Sequence, residues 1–393
     1  MQPVQGYAIM KKTQQKGQNR MAKQEYELFS MGGFQTVGKM SLAVEPLLAW
    51  YRQSARVLPW RSDPTPYHVW LSEIMLQQTR VEAVIPYYHR FLDALPDIPS
   101  LAEADEEQLH KLWEGLGYYS RVRNLKKAAA QVVQQYNGML PPSYELLLEL
   151  CGIGEYTAGA IASIAFGIPV PAVDGNVLRV VSRLLASEAD IAKPQVKSGC
   201  RSLLAQVIPQ EQPGNFNQAM MELGATVCLP NGTPKCGTCP LSFCCDGFQQ
   251  GNPMLYPVKA EKKPRKIEAK TIFLIRTPNG VLLRKRPDSG LLAGLWEFPN
   301  ADGQLDRQAA VRWLEQHGIH PKKLMSLKPA KHIFTHVEWQ MTGYLAECSG
   351  VSLQPDEVLA DTDAMKQSYS VPSAFAAYKG LLFGNTRENA AGK

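Results

Sequence analysis

No run of about 18 apolar residues occurs in the 393-residue chain, which removes the ordinary membrane-spanning helix from consideration. The N-terminus also lacks the apolar stretch of a secretory signal, so a cytoplasmic protein is expected, nucleoid-associated if the source is bacterial. Acidic residues are missing before Glu25, and residues 1–40 are rich in Gln, Lys and Gly without a sustained period. A disordered basic tail is expected there, or else a start at Met21, Met31 or Met40. Strand-like alternation is almost absent before residue 255, which excludes a sheet-based fold for the first two thirds of the chain.

What is present divides in two. At this length one core is too few, so two or three domains are expected. A net charge of +6 permits a polyanionic partner without requiring one. From Ser41 helical patterns follow one another: SLAVEPLLAWYRQS, a helix opened by Pro66, VEAVIPYYHRFLDA (81–94), DEEQLHKLW (105–113), LKKAAAQVVQQY (125–136) and VLRVVSRLLA (177–186). The lysine-rich, proline-marked stretch that begins at Tyr256 then changes the texture. Beyond it TIFLIRT and GVLLRKR flank Pro-Asn-Gly, a hairpin signal, followed by the helical RQAAVRWLEQH and strand-like KHIFTHVEWQMTGYLAE. The expected organisation is a multidomain chain: tail 1–40, all-α region 41–255, basic linker 256–268, α+β domain 269–386 and tail 387–393.

Three stretches carry chemistry. In LSEIMLQQTR (71–80), read as helix throughout, Glu73 shares its face with Val69, Trp70 and Leu76. A half-exposed glutamate lying over its neighbours is the ordinary outcome; a desolvated acid with a raised pKa is the functional one. LLLELCGIGEYTAGAIASIAF (146–166) is two helices broken by Gly152 and Gly154, the second beginning near Tyr156 with unpaired N–H groups suited to a DNA phosphate. Asp174 precedes an amphipathic helix, where an acid is usually an N-cap. Two carboxylates in one cleft would also suit hydrolysis of an N-glycosidic bond, one as acid and one steadying the cationic sugar.

Five of the eight cysteines crowd into residues 228–245, which means metal more often than disulfides. Cys228, Cys236, Cys239 and Cys245 form the ligand set, with Cys244 an alternative for the fourth place. Spacing leaves zinc and [4Fe–4S] both open. Cys151, Cys200 and Cys348 read as small buried residues.

Taken together, LPWR (58–61), WLSEIMLQQTRV (70–81), GLGYYSRVRNL (115–125), CGIGEYTAGAI (151–161), AVDGNVLRV (172–180), LLAGLWEFP (291–299), FTHVEW (334–339) and the cysteines resemble the MutY-type adenine DNA glycosylases of the helix-hairpin-helix superfamily. The resemblance implies excision of adenine mispaired with 8-oxoguanine or guanine in double-stranded DNA, by a monofunctional enzyme acting as a monomer. Matched by position, Glu73 corresponds to the acid that protonates adenine and Asp174 to the carboxylate that stabilises the sugar. Arg61 and Tyr156 match groups around the flipped base, with Tyr156 in the catalytic set. Gln78 matches the wedge that fills the opened stack, flanked by Leu76 and Thr79, and Tyr118 a residue beside the damaged guanine. Phe334, Thr335 and His336 match the lesion-contacting triplet, with Thr335 where serine is usual. The family pattern also turns the metal expectation to one [4Fe–4S] cluster per chain, although the first cysteine gap is one residue longer than usual.

The α+β part resembles a Nudix domain, whose magnesium chemistry needs three glutamates on one helix. In VRWLEQHGI (311–319) only Glu315 remains, so a recognition module is expected rather than a pyrophosphohydrolase. Two other readings compete. An endonuclease III-type glycosylase/lyase would need an amine where Tyr156 stands. A non-catalytic cluster protein would not need both carboxylates.

Overall fold

A computed structural model describes residues 33–260 and 264–383, in two compact units. The first takes residues 33–88, 97–99 and 127–260; the second takes 89–96, 100–126 and 264–383. The helical stretch 100–126 therefore clusters with the sheet-bearing part of the chain, not with the other helices. No helix among the described residues is long and apolar enough to cross a membrane.

The first unit is helical. Pro66 opens the helix Pro66–Leu76 at the position where its missing N–H costs nothing, and Thr65 caps it by accepting from His68 N at 3.3 Å. That helix stops at Leu76, short of the expected Arg80, and Gln78 turns out of line with φ of 60°. Against it packs the helix Glu155–Phe166, second arm of a hairpin whose turn needs Gly152 at φ +76°. The helices Gly175–Leu184, Pro213–Thr226 and Gly33–Ser54 complete the core around Leu47, Val181, Phe216 and Leu223. Because Gly33–Ser54 begins well before Ser41, residues 33–40 are helical and not tail; residues 1–32 lie outside those described.

The second unit is built on a sheet of β1 (Lys266–Thr277), β2 (Gly280–Lys285), β3 (Trp296–Glu297), β4 (Asn300–Asp302), β5 (Lys323–Ile333), β6 (Val337–Glu347) and β7 (Glu357–Ala360). Strand order is β3-β2-β1-β6-β5, with β4 on β1 and β7 on β2, and β1–β6 is the parallel pair. Alternation along β1 sends Phe273 and Ile275 to the face covered by the helix Arg307–Gln316, and Ile272 and Leu274 to the other. The helix Glu106–Leu112 joins this unit through Glu107, which pairs with Lys285 at 2.6 Å and accepts from Trp296 Nε1 at 3.1 Å. Strand β1 starts at Lys266, inside the expected linker, and Tyr256 at its other end is buried and accepts at its carbonyl from Arg183. Residues 384–393, including the expected tail 387–393, lie outside those described.

Candidate active site

One cavity of about 630 Å³ in the first unit is lined by Glu73, Tyr156, Asp174 and Arg61. Leu76, Gln78 and Thr79 form another part of its wall, and Gly152 and Gly154 line it from the hairpin. Residues drawn from four separate stretches of sequence are thus brought to one place.

Glu73 is only 6% exposed. Loss of water pushes its carboxyl up to about 7; the Tyr156 hydroxyl bonded to it opposes this, the negative charge of Asp174 adds to it, and Arg61 draws it down. Tyr156 donates its hydroxyl to Glu73 Oε2, and the phenol oxygen lies 3.2 Å from Met221 Sδ. Burial and the two carboxylates hold the phenol well above its ordinary range, so it stays protonated and donating.

Asp174 is both things its position suggested. Its Oδ1 caps the helix Gly175–Leu184 by accepting from Val177 N at 2.7 Å, and its Oδ2 accepts from Asn176 Nδ2 at 2.7 Å. Burial raises its pKa, and these donors oppose that rise only in part. From Asn176 the bonding continues outward. Arg179 donates to Asn176 Oδ1 at 2.9 Å and to the Cys228 carbonyl at 2.8 Å, so Asp174 is tied by hydrogen bonds to the first residue of the cysteine loop.

Arg61 is held by a buried acid that sequence patterns did not single out. Glu222, 1% exposed, accepts from Arg61 at 2.8 Å and from Arg56 Nε at 2.6 Å. Burial alone would raise its pKa, but the two guanidinium groups outweigh that and keep it below the usual range. Arg61 Nε also donates to Gln218 Oε1 at 3.1 Å. The stretch MMELGATV around Glu222 carries no motif; only its position between two arginines marks it. Asn176 and Arg179 lay inside the quoted VDGNVLRV, and a polar residue directly after a capping aspartate was an available signal.

The cysteines separate cleanly. Cys228, Cys236, Cys239 and Cys245 line one small cavity, whereas Cys244 is buried in the helical core with its thiol 3.5 Å from the Leu241 carbonyl. Burial raises the thiols of Cys236, Cys239 and Cys245, and each is raised further by neighbouring sulfurs. Among the described residues no three His, Cys, Asp or Glu side chains converge as on one ion. The four cysteines line a shared space instead. Of the scattered cysteines, Cys200 and Cys348 are buried and Cys151 is half-buried.

The remaining candidates belong to the second unit. Tyr118, with φ of 48°, places its hydroxyl 2.9 Å from Thr335 Oγ1. Thr335 and His336 are exposed between β5 and β6, while Phe334 packs its ring edge on Trp339 at 5.0 Å. Within the triplet, then, one residue anchors and two face outward. Glu315 on the helix Arg307–Gln316 is exposed.

Residues 71–206 match the HhH-GPD superfamily of base excision DNA repair proteins, and residues 271–378 match a NUDIX domain. The chain is 38% identical over 371 residues to the adenine DNA glycosylase of Mus musculus, spanning 80% of this chain and 71% of that protein. To the adenine DNA glycosylase of Homo sapiens it is 37% identical over 376 residues, spanning 80% and 69%. Among solved structures, a thermostable thymine-DNA glycosylase aligns with a TM-score of 0.49 and 26% identity, over 54% of this chain and 98% of its own.

Proposed function

The chain belongs to the adenine DNA glycosylase family, and from that premise we propose that the adenine it removes stands opposite 8-oxoguanine or guanine in duplex DNA. It is a base-excision-repair enzyme that cleaves an N-glycosidic bond. The observation that carries the reading of the site is the buried Glu73 with its carboxyl near 7, bonded to Tyr156 and sharing a cavity with Asp174.

In this reading Glu73 is neutral when DNA binds. Tyr156 occupies Oε2, so the proton is carried on Oε1 and passes to N7 of the flipped adenine as the bond to the sugar breaks. Asp174 is the ionised partner in this reading: Val177 N and Asn176 donate to it and oppose the upward push of its burial, and its charge steadies the cationic sugar until water adds at C1′. Burial raises both carboxyls, but Asp174 has two donors against the one on Glu73, which is the kind of difference such a pair requires. Gln78, in a left-handed turn beyond the helix end, is the wedge that fills the space left by the base. The phenol of Tyr156 offers no amine for a Schiff base, which supports a monofunctional enzyme. Acid, phenol and carboxylate all come from one unit of one chain, which supports action as a monomer.

The four cysteines around their shared cavity suit a [4Fe–4S] cluster held by Cys228, Cys236, Cys239 and Cys245. When bound it would brace the loop 228–245 and, through the Cys228 carbonyl, Arg179 and Asn176, the cap of Asp174. Tyr118 and Thr335 are read as the group beside the lesion and the hydroxyl that contacts it, with Phe334 and His336 on either side. Single-turnover adenine release from A:8-oxoG, A:G and A:C duplexes tests this function. Rates should fall in that order, and release of a base other than adenine would overturn it.

A further inference from the structure

We propose that Asn217 is a positioning residue for this reaction: it holds the loop that presents Asp174 in register with Glu73 and Tyr156. The inference rests on the role given to Asp174 above.

Residues 167–174 form neither helix nor strand, so the backbone leading to Asp174 cannot draw its hydrogen bonds from a ladder. Its cap on Val177 N fixes Asp174 to the helix that follows, but nothing in that cap fixes what precedes it. Asn217 does so from the helix Pro213–Thr226. It is 1% exposed, and its amide is used on three sides. Oδ1 accepts from Ala172 N at 3.0 Å, while Nδ2 donates to the Val170 carbonyl at 2.9 Å and to Ser163 Oγ at 2.8 Å. Only one orientation of the amide satisfies an N–H and a carbonyl together, so the pattern is self-consistent. Two contacts grip the loop, and the third reaches the helix Glu155–Phe166 that carries Tyr156.

The loop rests on a second helix as well. A Cβ on Gly159 would come within 2.6 Å of the Pro171 carbonyl, so the loop backbone rests directly on the Tyr156-bearing helix. Pro171 and Ala172 thus touch two helices, just ahead of Asp174. The carboxylate needed for the sugar and the phenol that holds the acid share one support. A misplacement of about 1 Å in such a constellation can cost about 100-fold in rate.

The bland alternative is that Asn217 only satisfies buried polar groups and contributes stability. Asn217→Ala, Asn217→Ser and Gly159→Ala approach the loop from the two helices it touches. Leu204→Ala, a fully buried truncation in the same core, serves as the stability control. Each full-length protein is assayed well below its unfolding midpoint for single-turnover adenine excision. Each is also titrated with duplexes carrying a cationic azasugar or a neutral tetrahydrofuran at the site of the adenosine. A displaced Asp174 should lose its preference for the cation, whereas partial unfolding lowers both affinities alike.

The loop variants should excise adenine about 10- to 100-fold more slowly and lose at least about tenfold of the cationic preference, with affinity for the neutral analogue nearly kept. Leu204→Ala should lose stability and retain both rate and preference per folded molecule. Wild-type rate and preference in any folded variant at position 217, or in Gly159→Ala, would overturn the proposal. A wild-type protein that excises adenine yet shows no cationic preference would overturn it too. Failure of the wild type to excise adenine at all would instead strike the function on which the proposal rests.

Discussion

The cavity of the first unit and the residues of the second that we propose face the lesion solve opposite problems. Glu73 is buried, and its Oε2 is bonded to the Tyr156 hydroxyl. Thr335 and His336 stand in solvent, and Tyr118 meets Thr335 through a single hydroxyl contact. Proton transfer to a poor leaving group needs a carboxyl that keeps its proton near neutrality, and desolvation supplies this. Telling one guanine from another needs a few hydrogen-bonding groups that can reach a base edge. Desolvation multiplies electrostatic effects, while exposed hydrogen bonds each contribute little. The two regions should therefore respond to substitution on very different scales.

Replacing Glu73 by Gln should have the largest effect. The amide keeps the volume but has no acid proton, so excision should fall by about 10²–10⁴-fold or more while mispair affinity stays near wild type. Excision within tenfold of wild type would remove Glu73 from the acid role.

The cysteine loop tests whether the order of the first region extends beyond the cavity. Cys245→Ser should lose most of the iron and the broad absorbance near roughly 400 nm, with DNA affinity and folding falling together. Cys244→Ser should keep its iron, because that thiol sits in the helical core. Equal loss in both would mean that the ligand set is not the one read from the cavity.

A pH profile probes the dryness itself. In the proposed mechanism Glu73 acts in its protonated form, so raising the pH through about 7 removes the acid. Single-turnover rates should decline about tenfold per unit above that point. Tyr156→Phe removes the donor that favours the ionised form, so the descending limb should move to higher pH. A limb that stays in place would mean that Tyr156 does not tune the acid.

Thr335→Ala should have the smallest effect. Loss of one exposed hydroxyl is worth about 0.5–1.5 kcal/mol, or roughly a two- to tenfold fall in the preference for A:8-oxoG over A:G, with the A:G rate unchanged. An unchanged ratio would place lesion recognition elsewhere. Point substitution is the cleaner tool here. Cutting the chain within residues 256–268 would also strip Glu107 of Lys285 and Trp296, and the His110 carbonyl of Ser370.

Much of the framework was legible in residue order. The helices at 66, 81, 155 and 175, the Pro-Asn-Gly hairpin and the tip at 334–336 follow from periods and turn residues that act over three or four positions. Glu73, Tyr156 and Asp174 were readable as candidates because each sits in a motif. The end of the first of these helices at Leu76 was not readable, since Gln77, Gln78 and Thr79 are tolerated in helices and only their departure into the cavity wall decides against one. Nor was the grouping of residues 100–126 with the sheet, which depends on partners more than 150 positions away.

By itself, then, the sequence determined the helical and sheet-bearing parts, the hairpin, the cysteine cluster and the family. Those are local patterns, or sums of them along the chain. Tertiary structure decided which of two adjacent cysteines faces the shared cavity, that Glu222 lies between Arg56 and Arg61, and that Asn217 grips the loop before Asp174. It also decided the pKa of Glu73. Desolvation, donors and charges are set by everything that surrounds a carboxyl, and here they come from residues as far along the chain as Tyr156 and Asp174. No spacing rule along the chain contains that distance.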